Sequence, residues 1–223
     1  MAEITLVRHG QASFGTDNYD RLSNIGHRQA RWLGKHWRQL DKHFDRVITG
    51  TMVRHHETAQ GVLAGLEKAL PIDAHPGLNE YDFQGLLTPL KEQHPAHWVE
   101  TGHAKRDYYH NMKQALSYWM DGTIATDGKD SWATFCERIQ AAFAFALDSG
   151  AKRTLMVSSG GPISVILQSV LQLDNARTRD LTLQIKNSST HKLLYNGTAL
   201  TLDSFNDVSH LQSADKQHAI TFS

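Results

Sequence analysis

Apolar positions along the chain fall into short runs separated by longer amphipathic stretches. Ile4 to Val7 is the first run; it reads as a buried strand, and Gly10 closes it with a turn. A polar loop, Ser13 to Arg21, follows. Ser23 is placed to cap a helix running to Leu40, with Ile25, Ala30, Leu33 and Trp37 on its apolar face. Arg46 to Thr49 reads as a second strand, then a helix from Val53 to about Ala69, ended by Pro71, and Ile72 to Ala74 as a third strand. Strands alternating with amphipathic helices predict an α/β protein with a mainly parallel sheet covered on both faces.

The pattern loosens between Gly85 and Lys129. This segment carries Trp98, Tyr108, Tyr109, Tyr118 and Trp119 with Lys91, Lys105, Arg106 and Lys113 among them, and shows no strand signal. A loop of that length without structure is uncommon, so the expectation is a helical cap insertion at about 85–130, packed over the sheet edge as a substrate lid, in a single domain spanning 1–223. Regular spacing returns in Ser131 to Leu147, where Trp132, Phe135, Ile139, Ala142, Phe143 and Ala146 fit one helix face and read as core. Arg153 to Ser158 predicts a buried strand, and Ser159-Gly160-Gly161-Pro162 a turn into a helix from Ile163 to Leu171, with Pro162 suited to its first turn. Leu181 to Ile185, His191 to Tyr195 and Ala199 to Phe205 are expected as closing strands, the last two joined at Asn196-Gly197.

Composition narrows the class. At 223 residues, 40% hydrophobic and 21% charged, the chain has the balance of an ordinary globular domain. Lys plus Arg equals Asp plus Glu, 23 each, so there is no basic field for nucleic acid and no polybasic patch for a membrane; any anion site must be local. Cys136 is the one cysteine, which excludes an internal disulfide and a cysteine zinc site. No apolar run reaches membrane-spanning length, and a strand starting at residue 3 or 4 leaves no room for a signal peptide. A cytoplasmic protein is expected, with the sequons at Asn187 and Asn196 carrying no glycan. Fourteen histidines invite a metal reading, but His55-His56, His94 with His97, and His103 with His110 gather no three-ligand set. Most are expected on the surface, and no metal is expected.

The chemistry concentrates at strand ends. Arg8 and His9 close the first strand, where open α/β sheets place ligands. A guanidinium matches phosphate oxygens in pairs, and a neutral imidazole beside it can attack phosphorus. Three further positions follow the same rule: Arg54 at the start of the helix after the second strand, Glu80 beyond the third, and Ser159 to Gly161 after the next.

Together with Leu22-Ser23-x-x-Gly26-x-x-Gln29-Ala30, Arg54-x-x-Glu57-Thr58-Ala59, Phe205-Asn206 and His210-Leu211, this set resembles the histidine phosphatase superfamily, the phosphoglycerate mutase-like family, over nearly the whole chain. The resemblance implies a three-layer α/β/α fold and a phosphomonoester hydrolase without metal or cofactor. His9 would be the nucleophile, Arg8 and Arg54 the phosphoryl clamp, and Glu80 the acid and then the base. Gly10, Gln11, Ser13, Phe14 and Gly160 would line the phosphate and substrate. The implied partner is a small phosphorylated substrate; whether the chain forms a homodimer is left open. Arg21 and Glu57 read as charges on a solvated face or as a structural pair rather than as catalysts.

The pattern departs from the family at Ser159, which stands where a second histidine is usual. A hydroxyl donates one hydrogen bond and brings no positive charge, so a weakened or retuned enzyme is expected, with a silent phosphate-binding module as the alternative. A serine nucleophile is disfavoured because Ser158-Ser159-Gly160-Gly161 lacks the Gly-x-Ser-x-Gly elbow. A mutase is disfavoured because Ala12, Gly15 and Phe83 replace polar groups that would hold a phosphorylated acid.

Overall fold

The computed structural model describes residues 1–13, 20–124, 126, 129–148 and 150–222. Six strands form one sheet: β1 (Ala2–Arg8), β2 (Arg46–Thr49), β3 (Ile72–Ala74), β4 (Arg153–Ser158), β5 (Thr190–Tyr195) and β6 (Leu200–Asp207), in the order β3-β2-β4-β1-β5-β6. The pairs β3–β2, β2–β4 and β4–β1 are parallel, while β1–β5 and β5–β6 are antiparallel. The parallel half brings the carboxyl ends of β1, β2 and β4 side by side, and that is where the site forms.

Strand alternation divides the interior into two cores. Ile4 and Leu6 of β1, Ile48 of β2 and Met156 of β4 face one side. Val7, Val47, Leu155 and Val157 face the other. The second side is covered by α1 (Asn24–Gln39) and α2 (Val53–Leu66). The first is covered by α5 (Trp132–Leu147) and α6 (Gly160–Leu171), with α3 (Phe83–Gln93), α4 (Ala104–Met120) and α7 (Asn175–Gln184) beyond. The layers are therefore helix, sheet, helix.

Local chemistry sets the helix starts. Ser23 Oγ accepts from Gly26 N at 3.1 Å, Ser131 Oγ from Thr134 N at 3.2 Å, and Asp174 Oδ1 from Arg177 N at 2.7 Å, each relieving an orphan amide of the first turn. α2 stops at Leu66, ahead of the expected Ala69, because Glu67 turns into the left-handed region at φ 56°.

One expected strand is a helix. Leu181 to Ile185 alternates like a strand, but residues 181–184 form the last turn of α7. Burial falls on Thr178, Thr182 and Ile185, four and three residues apart, which is a helical face. The hydroxyls of Thr178 and Thr182 donate back to the carbonyls of Asp174 and Thr178, satisfying the inward polar groups within the helix.

Between 83 and 120 the chain forms α3 and α4, joined by a 3-10 turn at Pro95–His97 and irregular residues 98–103, and α4 contributes to the main core. Trp119 packs on Tyr81, Trp132 and Phe135 with ring centroids 5.3, 5.2 and 5.0 Å apart. The opposite helix pair, α1 and α2, meets through glycines: a Cβ at Gly34 would lie 2.1 Å from Val62 O, and one at Gly65 would lie 2.4 Å from Arg31 O. Gly34→Ala gains about 1 kcal/mol of helix propensity but must push the two helices apart, at a cost of about 1–3 kcal/mol. The variant is expected to be less stable than wild type in urea unfolding; equal or greater stability would mean that the helices separate freely.

Candidate active site

Register places the two chemical turns next to each other: Arg8 of β1 pairs with Ser158 of β4. The backbone of His9, the next residue, is held on both sides. Its N–H donates to Ser158 O at 2.8 Å, and its carbonyl accepts from Ser188 N at 3.2 Å and Asn187 Nδ2 at 3.4 Å. The ring is fixed as well. Nδ1 lies 2.6 Å from Gly10 O, and a carbonyl only accepts, so Nδ1 carries the proton and Nε2 the lone pair. That lone pair accepts from Arg54 Nε at 3.2 Å. Burial, then the cations of Arg54 and Arg8, hold His9 well below the ordinary histidine range, so the imidazole is neutral.

Arg54 is 2% exposed, in the first turn of α2. Its Nη1 pairs with Asp20 Oδ1 at 2.8 Å, while Asp20 Oδ2 accepts from Val53 N at 2.9 Å, so one carboxylate both caps α2 and balances the buried cation. Thr58 Oγ1 donates to Arg54 O at 2.7 Å and accepts from Gly10 N at 3.1 Å. Arg8 is buried too, with Nη1 donating to Ile185 O.

Glu80 reaches the site from the loop after β3. Arg138 Nη1 donates to Gly77 O at 2.9 Å and Asn79 O at 2.8 Å, and Asn79 Oδ1 accepts from Thr51 N at 2.7 Å, which anchors the loop at both ends. Glu80 Oε2 accepts from Gly161 N at 3.2 Å; a Cβ at Gly161 would lie 2.2 Å from Oε1, so the close approach requires glycine. Burial raises the carboxyl above its usual range, against the opposing pull of the Gly161 amide, Arg54 and Arg8.

The other expected residues take varied places. Gln11 and Gly160 line the same cavity as Arg8 and Glu80. Gly10 owes its lack of a side chain to α1, since a Cβ there would lie 2.5 Å from Gly26 O. Ser13 N donates to Arg21 O, and Ser13 is absent from the cavity lining. Ala12 is buried in a bridge to Leu22. Phe14 and Gly15 lie outside the described residues. Arg21 and Glu57 form the expected pair at 3.4 Å, with Glu57 also accepting from Leu22 N.

Two residues escaped the sequence reading. Asp20 looked like part of a polar loop. His55 was grouped with surface histidines, yet it is fully buried, its ring centroid 5.6 Å from that of His9 and its Nε2 2.7 Å from Ser159 Oγ. Its position carried a signal: His55 lies four residues before Ala59 and seven before Val62, on the inward face of α2. His191 and His210 are buried as well, while the other histidines apart from His9 and His55 are exposed or half-buried, as expected of most of them; burial pulls His191 and His210 each down to about 3.

Arg8, Gln11, Glu80 and Gly160 open onto a cavity of about 800 Å³, while His9, Arg54, His55 and Ser159 are buried and absent from its lining. Tyr81, Phe83, Tyr108, Tyr109 and Met112 form one wall, and Ile220, Thr221 and Phe222 another. Among the described residues, Lys105 is the one cation in the lining besides Arg8. Among the described residues no group of three or more His, Cys, Asp or Glu side chains could hold a metal ion, and no helix is long and apolar enough to cross a membrane.

A family model described as "Histidine phosphatase superfamily (branch 1)" matches residues 4–208. No curated protein matches the chain by sequence. Similar solved structures include phosphoserine phosphatase from Entamoeba histolytica in complex with 3-phosphoglyceric acid, at 19% identity and TM-score 0.65, covering 95% of this chain and 100% of that one. Phosphoglycerate mutase from Bacillus anthracis is similar at 21% identity and TM-score 0.65, covering 94% of each. A mycobacterial glucosyl-3-phosphoglycerate phosphatase is similar at 19% identity and TM-score 0.64, covering 92% and 99%. At these identities the structures share the fold.

The geometry makes a spectroscopic prediction. A histidine whose folded pKa is depressed stays neutral as pH falls through the ordinary value of about 6.5. Long-range proton–nitrogen spectra at pH 6 should show His9 as a single neutral Nδ1–H tautomer. Titration of His9 near 6.5 would contradict the burial and cationic surroundings described.

Proposed function

The chain belongs to branch 1 of the histidine phosphatase superfamily, and from that premise we propose that it is a phosphomonoester hydrolase working through a phosphorylated His9. The observation that carries this reading is the Nε2 lone pair of a neutral His9, fixed by Gly10 and set between two buried guanidiniums.

In the first step Nε2 attacks phosphorus, the P–O bond to the leaving group breaks, and the departing alkoxide takes the proton of the Glu80 carboxyl. Water then attacks the phosphohistidine, Glu80 takes its proton, the P–N bond breaks, and inorganic phosphate leaves with His9 neutral again. Arg54 trades its contact with Nε2 for the incoming phosphoryl oxygens. With Arg8 it supplies the positive charge the transition state requires, so the reaction is assigned no metal ion and should survive a chelator. The elevated Glu80 suits the acid role, because more of it is protonated near neutrality than an ordinary glutamate would be.

The cavity supports a substrate class. Its aromatic and aliphatic walls can bury an organic body, and a single lysine beyond the phosphate end offers little to a second anionic group. An aryl or otherwise bulky apolar phosphate is favoured over a phosphorylated carboxylic acid, and hydrolysis over mutase transfer.

Phosphate release from p-nitrophenyl phosphate should occur in wild type, persist with a chelator and vanish in His9→Ala. Acid-labile, base-stable label should be trapped on wild type alone. Activity persisting in His9→Ala would remove the phosphohistidine. For an alkyl phosphate, kcat/KM should fall as pH rises through the elevated Glu80 pKa, since the acid is then lost. Glu80→Gln should reduce it by about 10²–10⁴ and flatten that limb. 3-Phosphoglycerate should be a poorer substrate than a naphthyl phosphate; the reverse order would show that the apolar walls do not select the substrate.

A further inference from the structure

The mechanism above leaves two fully buried polar side chains at the site unused, Ser159 and His55, and they are bonded to each other at 2.7 Å. Ser159 is the residue before α6, yet its hydroxyl makes no capping bond to that helix, and among the described residues His55 is its side chain's one hydrogen-bond partner. The neighbouring residues locate it. Ser158 O holds the His9 amide at 2.8 Å, and a Cβ at Gly160 would lie 3.8 Å from Arg8 Cζ. Ser159 thus sits in the turn that faces both His9 and Arg8.

The direction of the bond follows from what is left over. His55 Nδ1 is buried with no hydrogen-bond partner among the described residues. If Nδ1 carried the ring proton, an N–H would be buried unpaired. With the proton on Nε2 the ring leaves only a bare acceptor, and the unpaired donor becomes the Ser159 hydroxyl, which a phosphoryl oxygen can pair whereas an Nδ1–H has no acceptor among the described residues. With a phosphoryl group in place the tautomer is therefore Nε2–H, donating to Ser159 Oγ, and the hydroxyl proton of Ser159 is turned away from His55 toward the ligand. The ring has a dedicated seat: Gly50 lacks the Cβ that would lie 2.2 Å from Nδ1, and the His55 ring lies tilted at 33° to that of His9.

We propose that Ser159 and His55 form a relay in which the Ser159 hydroxyl donates to a phosphoryl oxygen and His55, on the neighbouring helix, donates to Ser159 and strengthens that bond. Ser159 touches the reacting group; His55 positions and polarises it. Coupled donors reinforce one another in a site closed to water, and charge builds on the phosphoryl oxygens only in the transition state. This inference rests on the phosphatase reading but is tested apart from it.

Orthovanadate, which becomes five-coordinate in such sites, is the probe, with binding measured for wild type, Ser159→Ala, His55→Ala, His55→Gln and the Ser159→Ala/His55→Ala double variant, and thermal unfolding recorded for each. Ser159→Ala should weaken vanadate by about 10²-fold, in the range for loss of one transition-state donor. His55→Ala should weaken it by about tenfold, and the double variant should be no worse than Ser159→Ala, because the two act as a unit. His55→Gln, whose amide can donate to Oγ, should recover most of the loss. With p-nitrophenyl phosphate, kcat should fall in step with vanadate affinity while KM stays within about twofold.

Vanadate affinity unchanged in folded His55→Ala and His55→Gln would overturn the relay, as would losses that multiply in the double variant. If His55→Ala fails to fold, Ser159→Ala and His55→Gln carry the test alone. Label trapping on His9 reports on the phosphatase reading separately: trapped label with vanadate affinity indifferent to His55 defeats only the relay, and vanadate affinity sensitive to His55 with no trapped label defeats only the phosphohistidine.

Discussion

Two guanidiniums and an imidazole are buried around one point, and much of the surrounding structure serves to make that tolerable. A desolvated cation costs several kcal/mol unless it is paired or bonded. Arg54 has Asp20, and Arg8 has the carbonyl of Ile185. Asp20 balances the charge of Arg54, yet both guanidiniums still act on the ring between them. Burial first, and then these two cations, keep His9 unprotonated. The fold holds that arrangement through backbone bonds to His9, from Ser158 on one side and Ser188 on the other, rather than through flexible side chains.

The parts of the site legible in the sequence were those dictated by backbone position. A short apolar run ending in Arg8-His9-Gly10 had to open at the carboxyl edge of a sheet, and Arg54 had to lie at a helix start after β2. Glu80 was legible only by its place beyond β3, since nothing local distinguishes it from a loop acid; its environment comes from Gly161, 81 residues away. Asp20 and His55 were missed for one physical reason. Their roles depend on which face of α2 turns inward and on what it meets there, and charge or ring type alone does not report that. His55 shows how the periodicity of the whole helix, applied to its polar members as well as its apolar ones, would have recovered it.

For the fold, strand runs buried on both faces were the clearest signal, because parallel strands between two helical layers read as continuous apolar segments. The error at Leu181 to Ile185 has the opposite origin. Five residues are too few to separate a two-residue alternation from a helical face, and Thr178, which settles the periodicity, lies outside that window. Gly10 was singled out for close approach to a phosphate; the approach seen is to the backbone of α1 at Gly26, so the turn that carries His9 is braced by a neighbouring helix.

Segments far apart in sequence close the site together. Ile220, Thr221 and Phe222 wall the cavity that Arg8 also lines. The same stretch braces the interior: Gln29 donates to Ala219 O at 2.6 Å and Thr221 Oγ1 at 3.0 Å, and Asn187, which contacts the His9 carbonyl, exchanges hydrogen bonds with Thr221. One hydrogen-bonded strap thus ties the cavity wall to the backbone of His9, so a change that loosens residues 219–222 reaches the His9 turn as well as the wall.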